Sequence, residues 1–385
     1  MTNASSDRLD KIRGCMTGGA VGDALGYPVE FISAISISAR YGSDGITSYV
    51  YGRDGKAAFS DDTQMTLFTA NGILLYDTAF SLNGAAGMPR SYIKKSYDNW
   101  LLTQKTGYEN SRFLSRGFDS DIVSWLMDIP ELYSLRAPGI TCMGSLEALK
   151  GIDVIEDYIT DVRNHSKGCG GVMRVAPVGL YGKFADIRAL DIEGAQAAAI
   201  THCHPLGYMP AAVLAHVIYR LVYSADGKSL KDIVIEASST VCELFAGNGY
   251  TDELRDLIDF SIELSENGKD DLTNIDMLGE GWVAEEALAI ALYCSLRYTD
   301  DFSRGVIAAV NHSGDSDSTG AVTGNILGAI CGFEAIEDKW KKDLELAGVI
   351  LEMADDLYNG CPECKNGRVT DEKWQSKYVG MRYKK

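Results

Sequence analysis

The chain reads as all-α. Three observations predict this: apolar residues recur at helical spacing in one segment after another, convincing strand alternation is hard to find, and two stretches carry glycine at every fourth position. With no fixed-period repeat, low-complexity segment or obvious linker, we expect a single α-helical domain over residues 1–360 and a polar C-terminal tail over residues 361–385. A hydrophobic fraction of 46% in 385 residues is ample for a packed core.

From Arg8 to Gly26, the residues Leu9, Ile12, Met16, Ala20 and Val21 keep a helical spacing, with Asp7 available as a cap. Gly14, Gly18, Gly22 and Gly26 recur within it, and Gly320, Gly324, Gly328 and Gly332 repeat the period far downstream. A glycine inside a helix costs about 1 kcal/mol relative to alanine, so a stripe of them suggests a return in close packing. We expect the two stripes to meet backbone to backbone at the centre of the fold, carrying Asp23 and Glu30 toward Asp315 and Asp317. The plainer reading is that Gly26-Tyr27-Pro28 merely ends a helix.

Residues Ile32 to Ala58 hold turn chemistry, in Tyr41-Gly-Ser-Asp-Gly45 and Tyr51-Gly-Arg-Asp-Gly55, and read as a loop or small excursion. Met65, Leu67, Phe68, Ala70, Ile73 and Leu74 then predict a helix whose first turn carries Asp61 and Asp62. Met88 to Thr106 and Ile140 to Tyr158 are moderately helical, around a less regular region from Gly107 to Pro138. Helical periodicity resumes over Leu190 to Thr201, Pro210 to Tyr223, Leu230 to Ala246, Glu253 to Ser265, Val283 to Arg297 and Phe302 to His312.

A formal net charge of −18 disfavours general attraction to nucleic acid or an anionic membrane, because a phosphate-tracking surface is basic. No apolar run reaches the roughly 18 residues that a membrane span needs. The nine cysteines do not form a disulfide framework and Met1 to Gly19 has no continuous apolar region, so a reducing, cytoplasmic compartment is expected. Cys361-Pro-Glu-Cys364 is a lone CxxC and reads as a surface turn with two free thiols rather than as half of a zinc site.

Two acidic knots stand out. In Ser60-Asp61-Asp62-Thr63 and Asp315-Ser316-Asp317-Ser318, hydroxyls flank carboxylates at the start of a helical run. Each suits a helix cap, since serine satisfies orphan N–H groups and acids complement the positive end of the dipole. Each also suits a hard divalent ion, which takes oxygen ligands from a rigid turn. Together they could hold a pair of ions about 3.5–4 Å apart, magnesium or manganese.

The glycine-rich Ser166-Lys167-Gly168-Cys169-Gly170-Gly171 exposes backbone N–H groups, with a hydroxyl and a positive charge beside them; it reads as a diphosphate cradle or an ordinary turn. Arg174, just beyond, adds charge there or pairs with an acidic neighbour in the core. His202-Cys203-His204 is read first as helix-end histidines with hydrogen-bond partners, ahead of a metal pair. Glu30, in the apolar setting Tyr-Pro-Val-Glu-Phe, is a carboxylate suited to a raised pKa and to acid or base work.

Gly18 to Gly26 with Glu30, Ser60 to Thr63, Ser166 to Arg174, Thr201-His202, Gly281-Trp-Val-Ala-Glu-Glu-Ala-Leu288 and Gly314 to Gly320 occur in an order that resembles the ADP-ribosylglycohydrolase family. The likeness spans about Arg8 to Gly332, and the ordered set is specific where each motif alone is weak. It implies an all-α orthogonal bundle with a binuclear magnesium or manganese centre in a cleft. By that resemblance Ser60, Asp61, Asp62, Asp315, Asp317 and Ser318 are the metal ligands, and Glu30 and Asp62 the catalytic carboxylates. Ser166, Lys167, Gly168, Cys169 and Gly170 match the loop that holds the ADP-ribose phosphates, and His202 a ribose-contacting histidine. Serine stands at 60 and 318 where many relatives have threonine, which keeps the oxygen donor; Lys167 and Cys169 fall at variable loop positions.

The expected reaction releases ADP-ribose from a modified acceptor. ADP-ribosyl-arginine on protein is favoured by resemblance, ahead of ADP-ribosyl-serine, O-acetyl-ADP-ribose and modified nucleic acid. Partners on this reading are an ADP-ribosylated protein and an ADP-ribosyltransferase toxin or its target, as in cognate immunity. A two-metal nucleotide phosphoesterase and a non-catalytic ADP-ribose-binding protein are the other classes.

Overall fold

The helix Thr2–Gly26 (α1) and the helix Ser316–Cys331 (α15) run antiparallel along the axis of the molecule, in the most extensive helix contact of the fold. This computed structural model describes residues 2–114, 122–152, 155–365 and 367–383. The expected glycine seam is present. A β-carbon at Gly22 would lie 1.9 Å from the Gly320 carbonyl oxygen, at Gly18 2.2 Å from that of Gly324, and at Gly14 2.2 Å from that of Gly328. Only glycine permits backbones this close.

Around this axis lie α2 (Ala34–Tyr41), α3 (Asp61–Asn83), α4 (Pro89–Lys105), α5 (Tyr108–Leu114), α6 (Ile140–Ala148), α7 (Ala176–Leu180) and α8 (Ile187–Ala199). They are followed by α9 (Pro205–Tyr223), α10 (Leu230–Leu244), α11 (Thr251–Glu266), α12 (Asp271–Leu278), α13 (Ala284–Arg297) and α14 (Phe302–Val310). Beyond α15 come α16 (Asp338–Lys341), α17 (Ala347–Asn359) and α18 (Glu372–Trp374). Among the described residues the sole sheet is a hairpin, Cys364–Lys365 (β1) with Arg368–Val369 (β2), so the all-α expectation holds. One large core runs from Ile12 to Tyr378, with a smaller cluster of Leu264, Ile275, Tyr293 and Ala309 beside it.

Several expectations are corrected. Asp7 lies inside α1, where it pairs with Lys11 one turn on, rather than capping it. The segment from Ile32 to Ala58 contains α2, capped by Ser33, whose side chain accepts from the Ser36 N–H. In the region from Gly107 to Pro138, α5 and two short 3₁₀ turns are present, while residues 115–121 lie outside the described residues. The helix expected from Pro210 begins instead at Pro205 in the first-turn position that proline tolerates, and Pro210 is inside it. That helix, α9, is long and apolar enough by composition to cross a membrane, but 78% of its window is buried by neighbouring helices.

The segment expected as a polar tail packs back on the body. Trp374 and Tyr378 are buried, with the Trp374 indole N–H donating to the Thr78 hydroxyl (2.9 Å) and the Tyr378 hydroxyl to Asp356 (2.6 Å). All nine cysteines are free thiols.

Candidate functional site

The first turns of α3 and α15 lie close enough for Asp61 and Asp62 to feel the charge of Asp317, and α1 anchors the start of α3. Asp23 of α1 is fully buried and accepts from the backbone N–H of Ser60 (2.8 Å) and of Thr63 (2.9 Å), pinning the start of α3. Ser60 caps α3, its hydroxyl accepting from the Asp62 N–H (3.1 Å). Asp315 caps α15 through Oδ1, which accepts from the Ser318 N–H (3.3 Å); Asp317 Oδ1 accepts from the same N–H (3.0 Å). Both acidic knots are therefore caps, as their sequence allowed, and capping leaves Asp62 Oδ2 without a partner.

Glu30, Asp315 and Asp317 each offer an oxygen within 4.8 Å of the others, and all three are buried. Asp61 and Asp62 are also buried, and Asp62 Oδ2 and Glu30 Oε2 have no hydrogen-bond partner. Among the described residues no lysine, arginine or histidine forms an ion pair with any of these five carboxylates. Burial first, then the charge of Asp317, holds Asp61, Asp62 and Asp315 well above the usual carboxylate range. The same causes, with Asp315 added, push Glu30 up to about 11, and Asp23 is pushed up to about 7 by burial and then by Asp317. Buried, mutually repelling carboxylates with spare oxygens are the donor set that a hard cation satisfies. The residues present fit such an ion.

The glycine loop forms the facing wall. It is zipped to the segment before α13: the Cys169 N–H donates to the Trp282 carbonyl (3.1 Å) and the Ala284 N–H to that of Lys167 (2.8 Å). That segment in turn meets the acidic loop, since the Asp315 N–H donates to the Glu280 carbonyl (2.8 Å). The Cys169 thiol lies 2.7 Å from Asp315 Oδ2 as a donor, and burial followed by the Asp315 charge holds it well above its usual range. Loop and acidic cluster thus share one contact.

A family model described as ADP-ribosylglycohydrolase matches residues 4–367. The chain belongs to the ADP-ribosylglycohydrolase family. Family membership makes it a hydrolase of glycosidic ADP-ribose linkages, in a family that depends on metal in general. It is 23% identical to the ADP-ribosylarginine hydrolase Tri1 of Serratia proteamaculans, over 93% of this chain and 81% of that protein. It is 22% identical to the ADP-ribosylhydrolase ARH3 of Mus musculus, over 88% of each. A solved ADP-ribosylglycohydrolase-related protein complex matches with a TM-score of 0.60 at 24% identity, over 92% of this chain and 99% of that one, which supports the fold.

Among the residues expected at the site, the structure brings Glu30, Asp315 and Asp317 together with Cys169 against Asp315, and two cations nearby differ from expectation in their chemistry. Lys167 does not offer a free charge: its ammonium is paired with Glu285 of α13. Arg174 has no carboxylate partner among the described residues. It is buried, donates to the Thr201 hydroxyl (2.7 Å) and the Cys142 sulfur (3.3 Å), and lies over the Tyr97 ring at 4.6 Å. Ser318 is buried with its hydroxyl 3.8 Å from the Met173 sulfur. Ser166 meets Thr141 (3.3 Å), and His202 lies buried beneath Gly168 and Gly170.

Sequence reasoning missed the brace behind Asp61. Arg136 forms a two-pronged ion pair with Glu345 (2.9 and 3.1 Å), donates to the Phe59 carbonyl (2.8 Å), and its own carbonyl accepts from the Asp61 N–H (3.0 Å). It also missed Asn164, whose side chain accepts from the Ser166 N–H (3.0 Å) and donates to the Thr201 carbonyl (2.9 Å). The short Asn-x-Ser spacing is the signal that could have found the first of these bonds.

Proposed function

We propose that this cleft removes ADP-ribose from ADP-ribosylated arginine on protein, cleaving the bond between ribose C1″ and the guanidine and releasing free ADP-ribose. The observation that carries this reading is the set of buried carboxylates Glu30, Asp61, Asp62, Asp315 and Asp317, with unpartnered oxygens, opposite a glycine loop. Arginine is preferred as acceptor because a relative named for that substrate aligns over nearly the whole chain. Ser60, Asp61, Asp62, Asp315, Asp317 and Ser318 would hold two divalent ions, magnesium or manganese, with Glu30 near enough to join Asp315 and Asp317. Bound there, such ions supply Lewis acidity toward ribose hydroxyls and water.

The protein groups divide the remaining work. Glu30, buried with an unpartnered Oε2 beside Asp315 and Asp317, is placed to pass a proton between the attacking water and the leaving guanidine as an oxocarbenium-like centre forms at C1″. Asp62, whose Oδ2 is unpartnered, orients the attacking water. The loop from Ser166 to Gly170 binds the diphosphate, so that binding energy remote from C1″ positions the reacting bond. The nine free thiols suit a reducing compartment such as the cytoplasm.

The test incubates the protein with ADP-ribosyl-arginine, ADP-ribosyl-serine and O-acetyl-ADP-ribose under magnesium, manganese or chelator, beside Asp315→Ala and Asp317→Ala. Free ADP-ribose from the arginine substrate, lost with chelator and in both variants, is expected. AMP as product would assign a phosphoesterase, and unchanged release in both variants would remove the carboxylates from the mechanism.

A further inference from the structure

Arg174 is an arginine buried to 1% exposure that serves no carboxylate among the described residues. Its position makes sense through what it touches next. Guanidinium is a donor only, so its 2.7 Å contact makes the Thr201 hydroxyl an acceptor there. The hydroxyl proton then has three places to go: Nδ1 of His202 at 2.8 Å, the Ala198 carbonyl at 3.5 Å, or the Cys142 sulfur, a weak acceptor that already takes an Arg174 N–H. The first is a good hydrogen bond and the other two are poor ones. Thr201 therefore donates to Nδ1, and the imidazole proton resides on Nε2.

That Nε2 has no hydrogen-bond partner among the described residues, although His202 is 2% exposed. It lies against the phosphate-type loop at two glycines: a β-carbon would fall 3.2 Å from it at Gly168 and 3.3 Å at Gly170. The loop is bare where the ring nitrogen faces it. Burial and then the Arg174 charge lower His202 to about 3, so the ring stays neutral.

We propose that Arg174 is a positioning residue which, through the Thr201 hydroxyl, locks His202 in its Nε2–H tautomer and so gives the loop at Gly168 and Gly170 one fixed donor for a ligand oxygen. That ligand is ADP-ribose on the functional reading above, on which the binding half of this inference rests. The tautomer itself does not depend on it. A hydroxyl relay of this kind separates a permanent cation from the ligand while fixing the hydrogen-bonding sense of the group between them.

The experiment is long-range proton–nitrogen NMR on protein labelled with nitrogen-15 at histidine, read beside calorimetric titration with ADP-ribose. The His202 signals of the unmodified protein should report Nε2–H, and Thr201→Val should leave a mixture of tautomers with ADP-ribose binding about tenfold weaker. Thr201→Ser should restore both, and Arg174→Met should repeat the Thr201→Val spectrum. An Nδ1–H tautomer in the unmodified protein, or an unaltered tautomer in Thr201→Val, would overturn the relay. An Nε2–H tautomer in a protein that fails to bind ADP-ribose would instead overturn the functional reading and leave the relay in place.

Discussion

Raising the pH from 7 to 8 in the presence of a chelator should destabilise this protein, and Glu30→Gln should lessen the loss. A carboxyl whose folded-state pKa is raised keeps a proton that the unfolded chain has released, so stability falls as pH climbs between the two values. Glu30, pushed up to about 11, is in that condition across the whole interval, and Asp61, Asp62 and Asp315 are displaced the same way. Each proton held only in the folded state costs about 1.4 kcal/mol per pH unit. Since the carboxylates titrate as a cluster, one or two protons are the expected count, or about 1.4–2.8 kcal/mol.

Histidines and cysteines also contribute in this range, with opposite signs, but equally in both proteins. His202 and His312 are lowered by burial and so favour folding as pH rises toward neutrality, whereas Cys15 and Cys294 are raised and oppose it above. The deciding quantity is therefore the difference between the two pH slopes from urea denaturation, about 1.4 kcal/mol shallower for Glu30→Gln. Magnesium should stabilise the unmodified protein more at pH 8 than at pH 7, since ligands must be ionised to bind it. Parallel slopes for the two proteins would refute the assignment of a retained proton to Glu30.

Three further outcomes follow from packing. Gly324→Ala places a β-carbon 1.9 Å from the Gly18 carbonyl oxygen, so the α1–α15 seam must open; about 3 kcal/mol of urea-measured stability should be lost, and an unchanged midpoint would dismiss the seam. Trp374→Ala should cost about 3–5 kcal/mol by the same measurement, whereas a neutral result would make residues 361–383 dispensable to the body. Glu345→Gln leaves Arg136 half-paired behind Asp61; about 3 kcal/mol of stability should go, with weaker manganese binding by calorimetry, and retention of both would release Asp61 from this brace.

What the sequence made legible was what local spacing encodes. Glycine at every fourth position has few uses other than close backbone approach, and Gly18 with Gly324 and Gly22 with Gly320 are the contacts it announced. Ser60 and Asp315 were readable as caps because a cap needs only its own helix. The brace from Arg136 to Glu345 joins residues 209 positions apart, and no local pattern encodes such a partner. Lys167 and Arg174 show the same gap from the other side. Their charges were visible, but whether Glu285 would take one and Thr201 the other is decided by how α13 and α8 arrive at the loop. The helix α2 was hidden because the glycines that follow it, Gly42 and Gly45, draw its last residue Tyr41 into a turn pattern, and its eight residues are too few to outweigh that.

Capping and metal binding compete for the acidic knots in the sequence, and in the fold the same knots serve the first and are left open to the second. A helix N-terminus carries roughly half a positive charge, so α3 and α15 together bring about one unit to the cleft. Against it stand Glu30, Asp61, Asp62, Asp315 and Asp317, buried and without a cationic side chain among the described residues. The dipoles fall short: burial first, and then the charge of Asp317, displaces Glu30, Asp61, Asp62 and Asp315 upward despite the caps. A chain can meet such a deficit with protons or with cations. Protons leave as pH rises, while a divalent ion is held more tightly, so the balance shifts toward a cation as pH climbs. The glycine seam that brings α1 against α15 also sets Asp23 to anchor α3, and so gathers carboxylate charge that no cationic side chain among the described residues pairs.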